Sequence, residues 1–541
     1  MMRLIAPALH LGLLAAAFSW PFLYNGAPLL FWDSEVYLRG GEAALEQTLG
    51  LENPNAAAAP EQPADPPTTP PQTATPETAP AATTPPADAS PPTAERTMFE
   101  GSENFDDSSV SLARSVYWSV LFTLSIWLGG ATLPALVQAA LFAGAIYLTI
   151  RALFHGKLTG PVLAFLPLAF VTPAAIIAVL LLPDVLAPLA ILATAVLVTL
   201  GRRVPLAAQL AWTALLVASV GSHVTHLFVT LALLPTAAVV SLLLGQRPSF
   251  RGMALVSCAL IAGFASIAAF KAAVEQKFGY EPVSLPMIAA SVLADGTGTA
   301  YLRKVCPQDG APAEASGRDW VYCPWRDREF SGTDAFLWAT DPDVGVYYFV
   351  DAEKQRQFSK EQISFALAVL AYDPVGQLSA WTRRYLLQLR LVGAEDFVVL
   401  PRGMPGFTAR LGAADQSRFE QSAVEEGRMP LPALSWLSYI SAGTAALALP
   451  FLIAALLRRP CAGPASTAVD AGPRLVAAFA LVLVAGLLLN AAATGLPSQP
   501  QDRYQARVAV LLPLAAMACL LWLFRHPSPP MRASAENESY S

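Results

Sequence analysis

Apolar residues gather into ten runs of near-spanning length along the chain, at 4–24, 132–153, 159–181, 185–201, 204–221, 224–244, 252–272, 432–457, 475–495 and 507–525. A helix needs about 20 consecutive apolar residues to cross a bilayer, so each run predicts a transmembrane helix. Prolines inside these runs are tolerated where neighbouring helices cover the freed backbone groups. A further apolar stretch, "SVYWSVLFTLSIWLGG" at 115–130, is shorter and predicts an interfacial or re-entrant helix.

The basic residues select this arrangement. With 115–130 left on the outer surface, alternate loops carry Arg151 and Lys157, Arg202 and Arg203, Arg247 and Arg251, and then Arg458, Arg459 and Arg474. These fall on one side together with Arg3 and the tail residues Arg525 and Arg532, and the positive-inside rule makes that side cytoplasmic. The opposite loops "LLPD" (181–184) and "GSHVTH" (221–226) have no Lys or Arg, whereas the last one, with Arg503 and Arg507, is the exception. Both termini are therefore expected in the cytoplasm. The N-terminal run begins like a signal peptide and offers Ala15-Ala16-Ala17 for cleavage, but it stays apolar through Leu23, which favours a retained anchor.

The segments divide accordingly. Residues 1–51 hold the first helix and an acidic outer loop. Residues 52–94, about one-third proline, can pack no core and form a disordered insert. Residues 95–272 hold the interfacial helix and spans two to seven. Residues 273–431 mix aromatic clusters with charged helical patterns, which predicts a folded outer domain, α/β or mostly helical. Residues 432–525 hold the last three spans, and 526–541 form a tail.

Composition agrees with a membrane protein. The 541 residues are 54% hydrophobic and 14% charged, against about 25% charged in soluble domains. The net charge is -6, but its sign is segregated along the chain, and no basic nucleic-acid surface is indicated. Cys258 and Cys519 lie in apolar runs and read as core residues, and Cys461 lies in a basic loop. Cys306 and Cys323 share the outer region, where an oxidising compartment permits a disulfide. No third and fourth ligand accompanies them for a metal.

Ionisable groups recur on the outer side. The first loop places Asp33 and Glu35 between Trp32 and Tyr37, the second holds Asp184, the third His223 and His226, and the last Asp502, Arg503 and Tyr504. Each has an ordinary reading. Asp184 suits a helix N-cap, Asp33 a solvated loop acid, the histidines interfacial polarity, and Arg503 a headgroup anchor. Their conjunction points further, because acids at a membrane edge are costly unless solvated or paired.

Three stretches carry a resemblance to a known family. These are "NGAPLLFWDSEVY" behind the first span, "RSVYWSVLFTLSIWLGGATLPALVQAALFAGAIYLTIRALF", and "QDRYQARVAVLLPL". Together they resemble the GT-C superfamily of integral-membrane glycosyltransferases, over 1–50, 112–272 and 432–525. The outer domain and the proline-rich insert lie outside the resemblance. It implies a GT-C-like fold and transfer of a sugar from a polyprenyl-phosphate donor on the non-cytoplasmic side. It also implies that Asp33 acts as general base or orients the acceptor or a metal, and that Arg503 meets the lipid phosphate, with Trp32 and Tyr37 either stacking on a sugar face or anchoring the loop. On an extended loop, residues two apart share a face, which makes Glu35 the natural substitute for Asp33. A single Asp184 stands where some relatives carry an acid pair, which leaves a divalent metal open.

The chemistry suits that reading, since inverting transfer needs a carboxylate for the acceptor proton and a cation for the leaving phosphate. The expectation is a polytopic α-helical glycosyltransferase of a bacterial inner membrane, with membrane lipid as its partner. Two alternatives stand beside it: a transporter or flippase of a lipid-linked intermediate, and an acyltransferase using His223 or His226.

Overall fold

A computed structural model describes residues 2–55, 114–307, 318–459 and 471–527. Most of the proline-rich insert, Cys461 and most of the tail lie outside the described residues. Among the described residues the chain is helical, with two isolated β-bridges and no strand.

Seven helices are long and apolar enough to cross a membrane: Thr132–Leu153, Pro183–Leu200, Val224–Leu243, Phe250–Phe278, Leu431–Leu457, Pro473–Gly495 and Asp502–Arg525. The protein is a multi-pass helical membrane protein. Three of the ten expected spans are shorter or broken. The first run ends as a helix at Phe18 and restarts as Trp20–Asn25, with Pro21 in its first turn. The run at 159–181 splits into Thr159–Phe165, Leu168–Val171 and Ala174–Val179. Pro167 and Pro173 stand at its two breaks, where each removes a backbone donor and clashes with the preceding turn. Leu206–Ser222 is a 17-residue helix, or roughly 25 Å at 1.5 Å per residue. It stops at His223, whose extended backbone starts the next helix.

Pro183–Leu200 forms the centre and is buried along its whole length. A helix that is apolar all round belongs in such a place. Its neighbours are Leu206–Ser222, Val224–Leu243, Pro473–Gly495 and Thr132–Leu153. Phe250–Phe278 approaches the same helix so closely that a Cβ on Gly252 would lie 1.8 Å from the Leu197 carbonyl oxygen.

The expected acidic loop is instead a helix, Trp32–Leu49. It packs along Val116–Gly129, the 14-residue helix at the place expected for the interfacial one. Gly41 makes that contact. A Cβ there would lie 2.3 Å from the Ser119 carbonyl oxygen and 2.1 Å from Thr123 Oγ1. Small residues at a helix crossing let backbones approach this closely.

Residues 283–306 and 320–369 build a second hydrophobic core around Tyr322, Phe336, Phe358 and Phe365. Cys306 and Cys323 are joined by a disulfide there, with α-carbons 5.6 Å apart. Ala352–Tyr372 and Pro374–Arg390 meet at an angle of 115° and count as an eighth span only if taken as one broken helix. The end of the expected outer domain belongs elsewhere, because Ala394, Phe397, Phe407 and Phe419 join the core of the transmembrane helices.

Candidate functional site: a chain of buried ion pairs

Asp33 is placed by the seven residues, 25–31, that precede its helix. Gly26 turns the chain with a left-handed φ of 79°, a conformation that suits glycine. Asn25 receives the backbone N–H of Val424 at 2.7 Å. Leu29 then bridges to the 179–181 segment and Leu30 to Val399, so the strand-like stretch is held from both sides. Ser34 caps the new helix by accepting the Phe31 N–H at 3.2 Å. Asp33, in the first turn, has no freedom of register left.

Its carboxylate lies between two guanidinium groups. Oδ1 pairs with Arg114, and Oδ2 accepts from Arg503 Nη1 at 2.9 Å. Arg503 continues to Asp184, with Nε 3.7 Å from Oδ2. Arg507 donates to the other Asp184 oxygen at 2.7 Å. Arg507 also donates to Asn490 Oδ1 at 3.2 Å and to Thr225 Oγ1 at 3.3 Å. The order Arg114, Asp33, Arg503, Asp184, Arg507 thus forms one continuous chain of opposite charges.

The two final arginines share a helix face because they are four apart. Their helix begins at Asp502, five residues earlier than the expected start at 507. Arg503 stacks over the Phe31 ring at 4.2 Å, and both arginines flank Tyr504, at 5.2 and 5.6 Å. Among the described residues, Nε of Arg503 and Nε of Arg507 are buried with no hydrogen-bond partner.

The fields in this chain set the protonation states. Burial pushes the Asp33 carboxyl up, but Arg114 and Arg503 outweigh it and hold the pKa down to about 2. Burial, His226 and Arg507 push the His223 imidazole well below its usual range, so it is neutral. Its Nδ1 accepts the Thr225 backbone N–H at 3.2 Å, which leaves the ring proton on Nε2. His223 thereby joins the chain through Thr225, whose Oγ1 is 2.8 Å from the same nitrogen.

Five of the residues singled out in the sequence meet here: Asp33, Asp184, Arg503, Tyr504 and His223. Tyr37 borders them, fully buried with the Arg114 guanidinium 5.9 Å over its ring. Asp184 is no simple cap, since its oxygens go to arginines. His226 turns its Nδ1 to the Ser219 carbonyl at 3.0 Å and packs 5.3 Å from His223.

Glu35 and Trp32 do not join. On a helix, residues two apart diverge by roughly 200°, so Glu35 points away from Asp33. Its carboxylate lies against Gly406, 3.9 Å from Arg39, and burial raises its pKa despite Arg39 and Arg410. Trp32 lies beside Gly403. The idea of Glu35 as a substitute for Asp33 assumed an extended loop and fails with it.

Arg114, Arg507 and Asn490 were not foreseen. Only Arg507 had a signal, its four-residue spacing from Arg503. Among the described residues no three His, Cys, Asp or Glu gather as a metal set. A divalent cation does not fit the chain of pairs either, because both aspartates already face guanidinium groups that would repel it.

No known protein family, curated protein or solved structure matches this chain.

Proposed function

We propose that this protein is a GT-C-type glycosyltransferase of a bacterial inner membrane, which takes a sugar from a polyprenyl-phosphate donor on the periplasmic side. The observation that carries this reading is the Arg503–Arg507 pair, buried side by side, with an Nε on each that makes no hydrogen bond, that of Arg503 lying 3.7 Å from the Asp184 carboxylate. A buried donor left unsatisfied costs about 1–3 kcal/mol, more on a charged group. A phosphate oxygen supplies the missing acceptor, and a guanidinium fork suits phosphate geometry.

Asp33 and Asp184 have the task of holding these forks in place. A carboxyl held at about pKa 2 is a weak base, since efficient proton acceptors titrate near the working pH. Preorganised cations serve a transfer by stabilising charge as it develops on the leaving phosphate. The inside-positive loops support a topology with both termini in the cytoplasm and this cluster on the other side.

The test compares decaprenyl phosphate with the neutral alcohol decaprenol as ligands of the purified full chain. The phosphate should raise the melting temperature and the alcohol should not. Arg503→Lys keeps the charge and loses the fork, so it should weaken phosphate binding about 10–100-fold, the worth of one charge-assisted hydrogen bond. Equal stabilisation of the wild-type protein by both ligands would remove the reading.

A further inference from the structure

The arginine chain has a roof, built by Pro374–Arg390 and by the Thr333–Trp338 helix of the second core. Gln388 grips the backbone of Gln501 from both sides, donating to its carbonyl at 2.8 Å and accepting its N–H at 3.1 Å. Arg384 donates to the Leu496 carbonyl at 2.7 Å. The turn just before Arg503 is therefore clamped to Pro374–Arg390. From this turn the Gln501 side chain donates to Asp334 Oδ2 at 3.3 Å.

Asp334 lies in the short helix Thr333–Trp338. Trp338 is four residues further on, so the two share a helix face. Trp338 packs 6.0 Å from the Tyr348 ring. Tyr348 in turn lies within the fields of Arg114 and Asp33. The second core thus brings a carboxylate and the Tyr348 ring within the fields of the ion-pair chain, with Trp338 packed beside Tyr348.

Asp334 differs from the two aspartates below it. It is half-buried, and the neutral Gln501 amide hydrogen-bonds its carboxylate where guanidinium groups hold theirs. Burial raises its pKa, with Gln501 and the more distant Arg503 offsetting only part of the rise. A carboxylate of this kind keeps basicity that Asp33 has lost.

We propose that Asp334 is the proton acceptor of the transfer, and that Trp338 and Tyr348 form the stacking faces for a sugar-bearing acceptor. The assignment rests on the glycosyltransferase reading above. In the step, the acceptor hydroxyl oxygen bonds to the anomeric carbon while its proton passes to Asp334. The bond from the anomeric carbon to the phosphate oxygen breaks, and its electron pair leaves on the polyprenyl phosphate, held by Arg503 and Arg507. Atoms and charge balance without a further reactant. Aromatic faces suit the apolar C–H side of a sugar ring, and the half-buried carboxylate suits its hydroxyls.

The experiment uses the full chain in nanodiscs, decaprenyl-phosphate hexoses and pentoses as donors, and octyl glycosides as acceptors. Release of decaprenyl phosphate is the readout. Asp334→Asn should lower turnover about 10²–10⁴-fold, the span of general-base catalysis, and leave stabilisation by decaprenyl phosphate unchanged. Asp334→Glu should recover part of the rate, and Trp338→Ala should raise the acceptor KM more than it lowers kcat. Wild-type turnover in Asp334→Asn would overturn the assignment and leave the transferase reading standing. Loss of decaprenyl phosphate binding in the same variant would also overturn it, by showing a merely structural role. If the wild-type protein releases decaprenyl phosphate from none of the donors, both readings fall.

Discussion

Asp33 carries a fixed negative charge because two guanidinium groups outweigh its burial. Its pKa falls from 3.8 to about 2, so its contribution to stability is complete above the unfolded value of 3.8. That contribution is lost as pH falls through about 2. Asp33→Asn removes one partner of a buried pair, a change that costs about 3–5 kcal/mol. The variant should therefore melt well below wild type at neutral pH, and the gap should narrow as pH falls from about 4 through about 2. A gap of unchanged size below pH 2 would mean that the charge is not what stabilises. At this scale the sequence was readable where residues were rare. Asp33, Asp184 and Arg503 stood out as ionisable groups in apolar surroundings. Arg114 did not, since an arginine ahead of an apolar helix resembles any membrane flank. Glu35 was misplaced because its direction depends on whether the backbone is extended or helical, and composition alone did not decide that.

Helices decide whether the ion pairs meet at all. Asp33 rides on Trp32–Leu49 and Arg114 sits just ahead of Val116–Gly129, so the contact between these helices sets their separation. Gly40 and Gly41 are adjacent, yet their surroundings differ. A Cβ at Gly40 would find Ser119 Oγ at an ordinary 3.6 Å, whereas at Gly41 it would meet the Ser119 carbonyl at 2.3 Å. Gly40→Ala should be neutral or stabilise by up to about 1 kcal/mol, the helix-propensity gain. Gly41→Ala should destabilise by about 1–3 kcal/mol through overpacking and weaken decaprenyl phosphate binding as the helices part. Thermal melts of both variants, with and without the lipid, check this. Equal melts for the two would contradict the packing argument. The same glycine pair hid the helix from sequence reading, because glycine disfavours helices in isolation. The long spans were legible from hydropathy alone. The breaks within 159–181 were not, since apolar content continues across Pro167 and Pro173 while the backbone does not.

For the whole molecule, the division into a membrane part and a second core was visible in composition, but its boundary was not. Residues 394–419 look polar enough for an outer domain, yet their apolar side chains turn into the transmembrane core. Hydropathy averages a segment and cannot say which core its few large side chains enter. Sidedness is open to direct measurement. Reporter fusions after residues 157, 203, 251 and 459 should report cytoplasm, and fusions within 273–431 should report periplasm. A cytoplasmic signal from the second core would put the arginine chain on the wrong side for a periplasmic transfer. The chain of ion pairs also has an order of birth. Asp33 and Arg503 are 470 positions apart, and Asp184 and Arg507 are 323 apart. At synthesis rates of about 5–20 residues per second, Asp33 waits roughly 25–95 s for its second arginine. During that interval Asp33 has Arg114 alone and Asp184 stands as a vacant berth, and the last helix to be made is the one that completes both. A ribosome that stops short of residue 503 leaves a bundle with nearly all of its apolar helices inserted and Asp184 unmatched, a difference that a membrane protease can read.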